Sequence, residues 1–283
     1  MDFMKPHIQA RQARQGPHER QDSPYPLGRD SAAREIVAGH GTPERSWRRH
    51  PTLNALPLID AAELVPPHAR AVVVAPHPDD EALGCGGLLA QLSQLKRDIL
   101  LIAVSDGEKS HGPGSAWSAG LLAQTRPGET SAALARLGVR RISIVRARLP
   151  DGALGQPVPR RRLEALLRMH LRPADVLFAS WRMDGHPDHE AVGTAAAAVA
   201  AEIECTLIEI PIWAWHWAKP GDARMAWQSA RKLPLDRATM QKKKAALQCY
   251  RSQIEADLST GKPAILPDED LAHFYRPYEV FFL

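Results

Sequence analysis

Two short stretches concentrate side chains able to act on one reaction. The first, AVVVAPHPDDEALGCGG, runs from Ala71 to Gly87, and the second, SWRMDGHPDHEAVG, from Ser180 to Gly193. Together they hold His77, Asp79, Asp80, His186, Asp188 and His189 in two His-Pro-Asp clusters. Two imidazoles and one carboxylate are a standard ligand set for a catalytic metal that keeps open coordination positions. Asp80 follows His77 by three residues, so a tight turn can aim both at one ion. His189 would join from the facing loop or the first turn of its helix. Asp79 then stands unliganded beside the ion, placed to act as general base. A bound zinc ion would lower the pKa of water from about 15.7 toward 7. Attack on an amide carbonyl would create an oxyanion for the metal and a protonated His186 to stabilise. Asp188 would hold that imidazole in its charged form. The expected chemistry is amide hydrolysis.

Each cluster alone has a plainer explanation. Asp79 or Asp80 with Glu81 is what a helix N-terminus favours, and Asp188 after Pro187 likewise. The argument for a site is the recurrence of the cluster directly after two apolar strands. Gly84, Gly86 and Gly87 permit close backbone approach to a loop or substrate. They lack the order and the lysine of a phosphate-binding loop. Trp213, Trp215 and Trp217, with His216, fit either a sugar-stacking wall or core and lid packing. Lys242, Lys243 and Lys244 read as a solvated helix face, and Cys85 as a small packing residue.

The elements that must position these residues follow an alternating rhythm. A continuous apolar run predicts a strand at 71–75, and the alternation that follows places further strands at 99–104, 141–145, 176–179 and 206–210. Helical spacing predicts helices at 83–95, 119–137 (ended by Gly138), 159–171 and 190–203. A long amphipathic helix is expected at 235–258, and a late edge strand at 278–282. The fold class is therefore α/β, a Rossmann-like, mostly parallel sheet with helices on both faces. In the doubly wound strand order 3-2-1-4-5, strands 1 and 4 are neighbours where the order reverses. Ligand crevices open there, beyond the carboxyl ends of the strands. Both charged clusters would meet in that crevice.

Composition narrows the setting. The chain has 283 residues, 44% hydrophobic and 24% charged, enough for a sizeable core. Its formal charge of +4 is too small an excess to indicate nucleic-acid binding. Arginines scattered near the N-terminus carry much of that charge and read as a solvated, flexible extension over 1–31. Three distant cysteines give no disulfide framework and no CxxC site, as expected of a cytoplasmic protein. The opening residues show no apolar secretory core, and no run is long enough to span a membrane.

At this point the sequence resembles the LmbE-like (PIG-L) family of zinc-dependent N-acetylglucosamine deacetylases. The resemblance runs from about 72 to 253 and rests first on PHPDDEALGCGG and on HPDH at His186–His189. SDGE from Ser105 to Glu108, the Arg126 and Glu129 pair, LPDG from Leu149 to Gly152 and KKAALQCYRSQ add to it. It implies a single LmbE-like deacetylase domain over 32–283. It implies zinc ligands His77, Asp80 and His189, with Asp79 as base, His186 as the oxyanion-stabilising acid and Asp188 tuning it. It adds the choice of Asp80 over Asp79 as ligand. It also implies that Arg126 contacts substrate and that Asp151 lies near the sugar. The substrate class would be a small-molecule N-acetyl amino-sugar conjugate: a glycolipid, a thiol-precursor glycoside, a nucleotide sugar or a glycosylated secondary metabolite. Residues 109–118 do not align with the family. Asp184 stands in the neighbourhood where some members carry a tyrosine.

Three other readings compete. A conjugate amidase would use the same residues on a larger acyl group. Two histidines and a carboxylate also form the facial triad of non-haem Fe(II) oxygenases, usually on a β-barrel. A non-catalytic sugar-binding protein would have no need of an unliganded base. The metal is expected to be zinc, with iron or cobalt as alternatives.

Overall fold

The computed structural model describes Arg34, Ile36 and residues 39–283. The extension expected over 1–31 lies outside them.

Five strands, β1 (Ala71–Ala75), β2 (Ile99–Ala103), β3 (Ile142–Arg146), β4 (Val176–Ser180) and β5 (Thr206–Ile210), pair in parallel in the order β3-β2-β1-β4-β5. This is the doubly wound order expected from the sequence. Two more strands, β6 (Ala230–Pro234) and β7 (Tyr278–Phe282), extend the sheet in the order β5-β7-β6 with antiparallel pairing. The strand at 278–282 is therefore interior, not an edge. The true edge, β6, reads ARKLP and offers no apolar run for periodicity to detect.

Five longer helices cover the sheet: α1 (Asp80–Gln94), α2 (Ala119–Leu137), α3 (Pro157–His170), α4 (Pro187–Ile203) and α5 (Arg237–Leu247). Alternate residues of β1 feed two cores. Ala71, Val73 and Ala75 pack with α1, and Val72 and Val74 pack with α3 and α4. Burial on both faces is why β1 is a continuous apolar run. Helices α1 and α4 begin three residues earlier than expected, so each takes its motif into its first turn. Pro187 at the start of α4 and the acids at both starts suit a helix N-terminus.

The single helix expected at 235–258 is interrupted. Helix α5 ends at Leu247, the chain turns at Tyr250 (φ −84°, ψ 56°), and Arg251–Ile254 forms a short further turn. The break lets the buried Tyr250 hydroxyl donate to Glu81 Oε1 at 2.6 Å, behind the first motif.

Lys243 also departs from expectation. It is 3% exposed, not solvated, and donates to Glu279 Oε1 (2.6 Å) and to the carbonyl of Leu83 (2.7 Å). Glu279 in turn accepts from the backbone N–H groups of Gly87 and Leu88. A Cβ at Gly86 would lie 3.2 Å from Lys243 Cγ, and one at Gly87 3.1 Å from the Glu279 carboxyl carbon. Gly86 and Gly87 thus let Lys243, Glu279 and Leu235 pack closely on α1, and Gly84 lets Ile210 do so.

The short helix Glu44–Arg48 is tied to the far end of the chain. Glu44 accepts from Arg276 Nη2 at 2.6 Å and from His273 Nδ1 at 2.8 Å. Among the described residues no helix is long and apolar enough to cross a membrane.

Candidate active site

Strands β1 and β4 are hydrogen-bonded neighbours running the same way, so their carboxyl ends deliver both motifs to one crevice. The His77 ring lies 5.0 Å from that of His186 and 5.4 Å from that of His189, centroid to centroid. His186 and His189 are 4.8 Å apart. The predicted convergence of the two clusters is what the fold produces.

The turn after β1 is strained. Asp79 has φ 117° and ψ −31°, outside the regions an L-residue normally occupies. Neighbours hold it there. Its N–H donates to Glu81 Oε2 (3.2 Å), and Arg126 Nη2 donates to its Oδ2 (3.0 Å) and to the carbonyl of Pro78 (2.6 Å). Asp79 and Asp80 both border the same pocket.

Asp80 Oδ2 is the focus of a three-residue cluster. It lies 3.4 Å from His77 Nδ1 and 3.2 Å from His189 Nε2. The ligand atoms of His77, Asp80 and His189 all fall within 4.8 Å of one another. The edge of a tetrahedron around zinc, with bonds of about 2.1 Å, is about 3.4 Å. His189 Nε2 is buried and has no hydrogen-bond partner, an atom in want of one. The donor set and this orphaned nitrogen fit a divalent metal.

His189 is aimed by a residue that the sequence reading passed over as a ligand partner. Asp184 is fully buried and accepts from His189 Nδ1 at 2.8 Å. Backbone N–H groups of Ile212, Trp213 and Ala214 donate to the same carboxylate. With Nδ1 donating to Asp184, Nε2 is the nitrogen left facing Asp80. A carboxylate behind a ligating histidine is the usual partner of such a site, and that generality was the only signal available in DGHPDH.

His77 has its own pair of carboxylates. Its Nε2 lies 3.2 Å from Asp151 Oδ1 and 3.3 Å from Asp188 Oδ2. Gly152 and Leu154 N–H groups donate to Asp188, and Lys109 N–H donates to Asp151. The Asp188 carboxylate makes its contact with His77, and on His186 it acts as a nearby charge that raises the imidazole pKa. His186 Nδ1 instead accepts from the Asp188 backbone N–H at 3.2 Å. Burial and the charges of His189 and His77 push the His186 pKa down to about 3, outweighing Asp80 and Asp188. With His77 and His189 charged, the neutral imidazole of His186 is the favoured form.

The other titrations follow from geometry. Burial raises Asp79 to about 8, against the pull of Arg126 and with a further push from Asp80 and Glu81. Burial opposes ionisation of Asp80 too, but His189 and His77 hold its carboxyl well below the usual range. Burial disfavours the charged form of His189, yet Asp80 and Asp184 raise it to about 9. His77 is likewise raised, against burial, by Asp151, Asp188 and Asp80.

Arg126 is 2% exposed, and its guanidinium is occupied by Gly107 O, Pro78 O and Asp79. It borders the pocket, and its buried Nε has no hydrogen-bond partner. The pocket over the cluster has a volume of 310 Å³ and also meets Asp151, Trp213, Lys109 and Gln253. Of the three tryptophans, Trp213 alone lines it. Trp215 is buried edge-on against Trp47, and Trp217 stacks on Trp181.

Comparison with known proteins agrees with this architecture. Residues 72–200 match the family model described as PIG-L, GlcNAc-PI de-N-acetylase, the family the motifs resemble. A 1D-myo-inositol 2-acetamido-2-deoxy-alpha-D-glucopyranoside deacetylase of Corynebacterium glutamicum (strain R) is 32% identical over 155 residues, which is 47% of this chain and 53% of that protein. The chain thus spans about half the length of that relative. The deacetylase of the same description from Corynebacterium diphtheriae is 26% identical over 238 residues, covering 69% of this chain and 80% of that one. A crystal structure of a deacetylase triple mutant involved in the teicoplanin biosynthetic pathway shares the fold. It has a TM-score of 0.55 at 18% identity, covering 76% of this chain and 97% of that chain.

Proposed function

Taking residues 72–200 as a segment of the PIG-L family, we propose that this chain hydrolyses the N-acyl amide of an acetylated amino-sugar conjugate. The observation that carries the reading is the convergence of ligand atoms of His77, Asp80 and His189 within 4.8 Å of one another, with Asp79 on the same pocket.

His77, Asp80 and His189 would hold a divalent metal, zinc foremost, with iron or cobalt as alternatives. Such an ion supplies an acidified water and polarises the acyl oxygen. Asp79, unliganded beside the ion, would accept a proton from the attacking water and return it to the departing amine. Arg126 keeps that carboxylate aimed. His186 accepts an N–H at Nδ1, so its proton sits on Nε2, where it can be donated toward the developing oxyanion. Asp151 and Asp188 hold His77 from behind, as Asp184 holds His189. The three cysteines form no pair, which supports a cytoplasmic setting.

The test is elemental analysis of purified protein together with acetate release from N-acetylglucosaminides, with and without a chelator. One metal per chain and chelator-sensitive acetate are expected. Folded, metal-replete protein that releases no amine from any N-acyl glucosaminide would reject the reading.

A further inference from the structure

The 310 Å³ pocket has two unlike walls. One is polar and carries Lys109, Ser110, Asp151 and Gln253. The other is apolar and carries Leu83, Trp213, Ile265 and Leu266. Leu83 follows the Asp79–Asp80 turn within the first helix. The Trp213 ring stands beside that of His186, 6.4 Å between centroids at 24°. The apolar wall thus starts at the reacting groups and runs outward to Ile265, which is 38% exposed at the mouth. Behind it Leu83, Trp213, Leu266 and Phe274 enclose a second small void of 10 Å³, so the wall backs onto more apolar surface.

We propose that this wall is the acyl side of the site and that the preferred acyl group is a short alkanoyl chain longer than acetyl. The inference rests on the reading of the site as an amide hydrolase. On an N-acylated amino sugar the acyl chain is the apolar arm that starts at the reacting carbon, and the ring edges carry hydroxyls. Hydroxyls pressed on Leu83, Leu266 and Ile265 would lose water without gaining partners. The polar wall offers those partners. Acetyl presents a single methyl and leaves the outer part of the apolar wall wet. Each further methylene taken from water is worth about a fourfold gain in binding. The reaction is otherwise unchanged: the acyl carbon–nitrogen bond breaks, the oxygen of water joins the acyl carbon, and carboxylate and amine depart.

The experiment measures amine release by metal-loaded protein from N-acetyl, N-butanoyl and N-hexanoyl methyl glucosaminides. Wild type is compared with Ile265→Asp and with Met169→Asp, a control at a 76% exposed position on α3. In wild type kcat/KM should rise about fourfold per methylene until the chain reaches the mouth. Ile265→Asp should lower the hexanoyl-to-acetyl ratio by about tenfold or more, and Met169→Asp should leave it alone. Acetyl cleavage with a flat or falling chain-length series overturns the inference and leaves the deacetylase reading standing. A ratio unchanged by Ile265→Asp also overturns it. No amine from any of the three removes both.

Discussion

Asp184 Oδ2 and His189 Nδ1 meet at 2.8 Å in a place where neither residue touches solvent. The contact sets which nitrogen of His189 is free. It also ties the second motif to the loop after β5, because the same carboxylate accepts from Ile212, Trp213 and Ala214. One side chain therefore places both a candidate ligand and the tryptophan that walls the pocket.

Asp184→Asn keeps oxygen for the backbone donors but weakens the partner of His189. Metal affinity should fall about 10–100-fold while the far-ultraviolet spectrum is retained. Competition against a chromophoric chelator measures this. An unchanged affinity would remove Asp184 from the support of the ligand set.

Asp79→Asn leaves the ligand set intact and takes away the proton acceptor. The variant should bind one metal and lose about 10²–10⁴ in kcat. Metal analysis and single-turnover kinetics on the same sample separate the two effects. A variant within a few-fold of wild type would sink the base assignment.

Metal binding should release protons. His189 is raised to about 9 and His77 is raised as well, so both are protonated at neutral pH in the metal-free protein. Ligation needs the neutral imidazole, and the proton competes. Affinity should therefore climb with pH through neutrality as His189 and His77 give up their protons. Calorimetry in buffers of different ionisation enthalpy counts the protons. A pH-independent affinity between 6 and 8 contradicts the ligand assignment.

Glu44 should govern acid stability. Burial alone would raise its pKa, but hydrogen bonds from His273 and Arg276 lower it to about 2, below the ordinary 4.5. A depressed carboxyl stabilises the fold above its unfolded pKa and stops doing so as pH falls through its folded value. The contribution is thus complete above 4.5 and gone near 2. Glu44→Gln should cost about 3–5 kcal/mol at neutral pH, because Arg276 is left buried without its charge partner. Urea melts of both proteins at pH 7 and pH 3 test this, and the gap between them should narrow at the lower pH.

Much of the molecule was legible from periodicity. β1, β2 and β4 are short, largely apolar stretches, β3 and β5 mix in polar residues, helices alternate with all five, and the doubly wound order matches that rhythm. β6 was missed because ARKLP carries its burial by pairing with β7, not by pattern. The break at Tyr250 was missed because its cause is Glu81, far away in sequence. Lys243 looked solvated because nothing local announces Glu279.

The chemistry of the site belongs to the sequence: which residue types, in two clusters, each directly after a strand that must be buried. Its electrostatics belong to the tertiary structure. Asp188 follows His186 by two residues yet its carboxylate turns to His77, because Gly152 and Leu154 pull it that way. Asp184 and Arg126 look like loop and helix polar residues until folding sets one behind His189 and the other against Asp79. Sequence proximity decides what a turn can reach. Charge, proton position and pKa depend on every group within a few ångströms, and the fold alone assembles those groups.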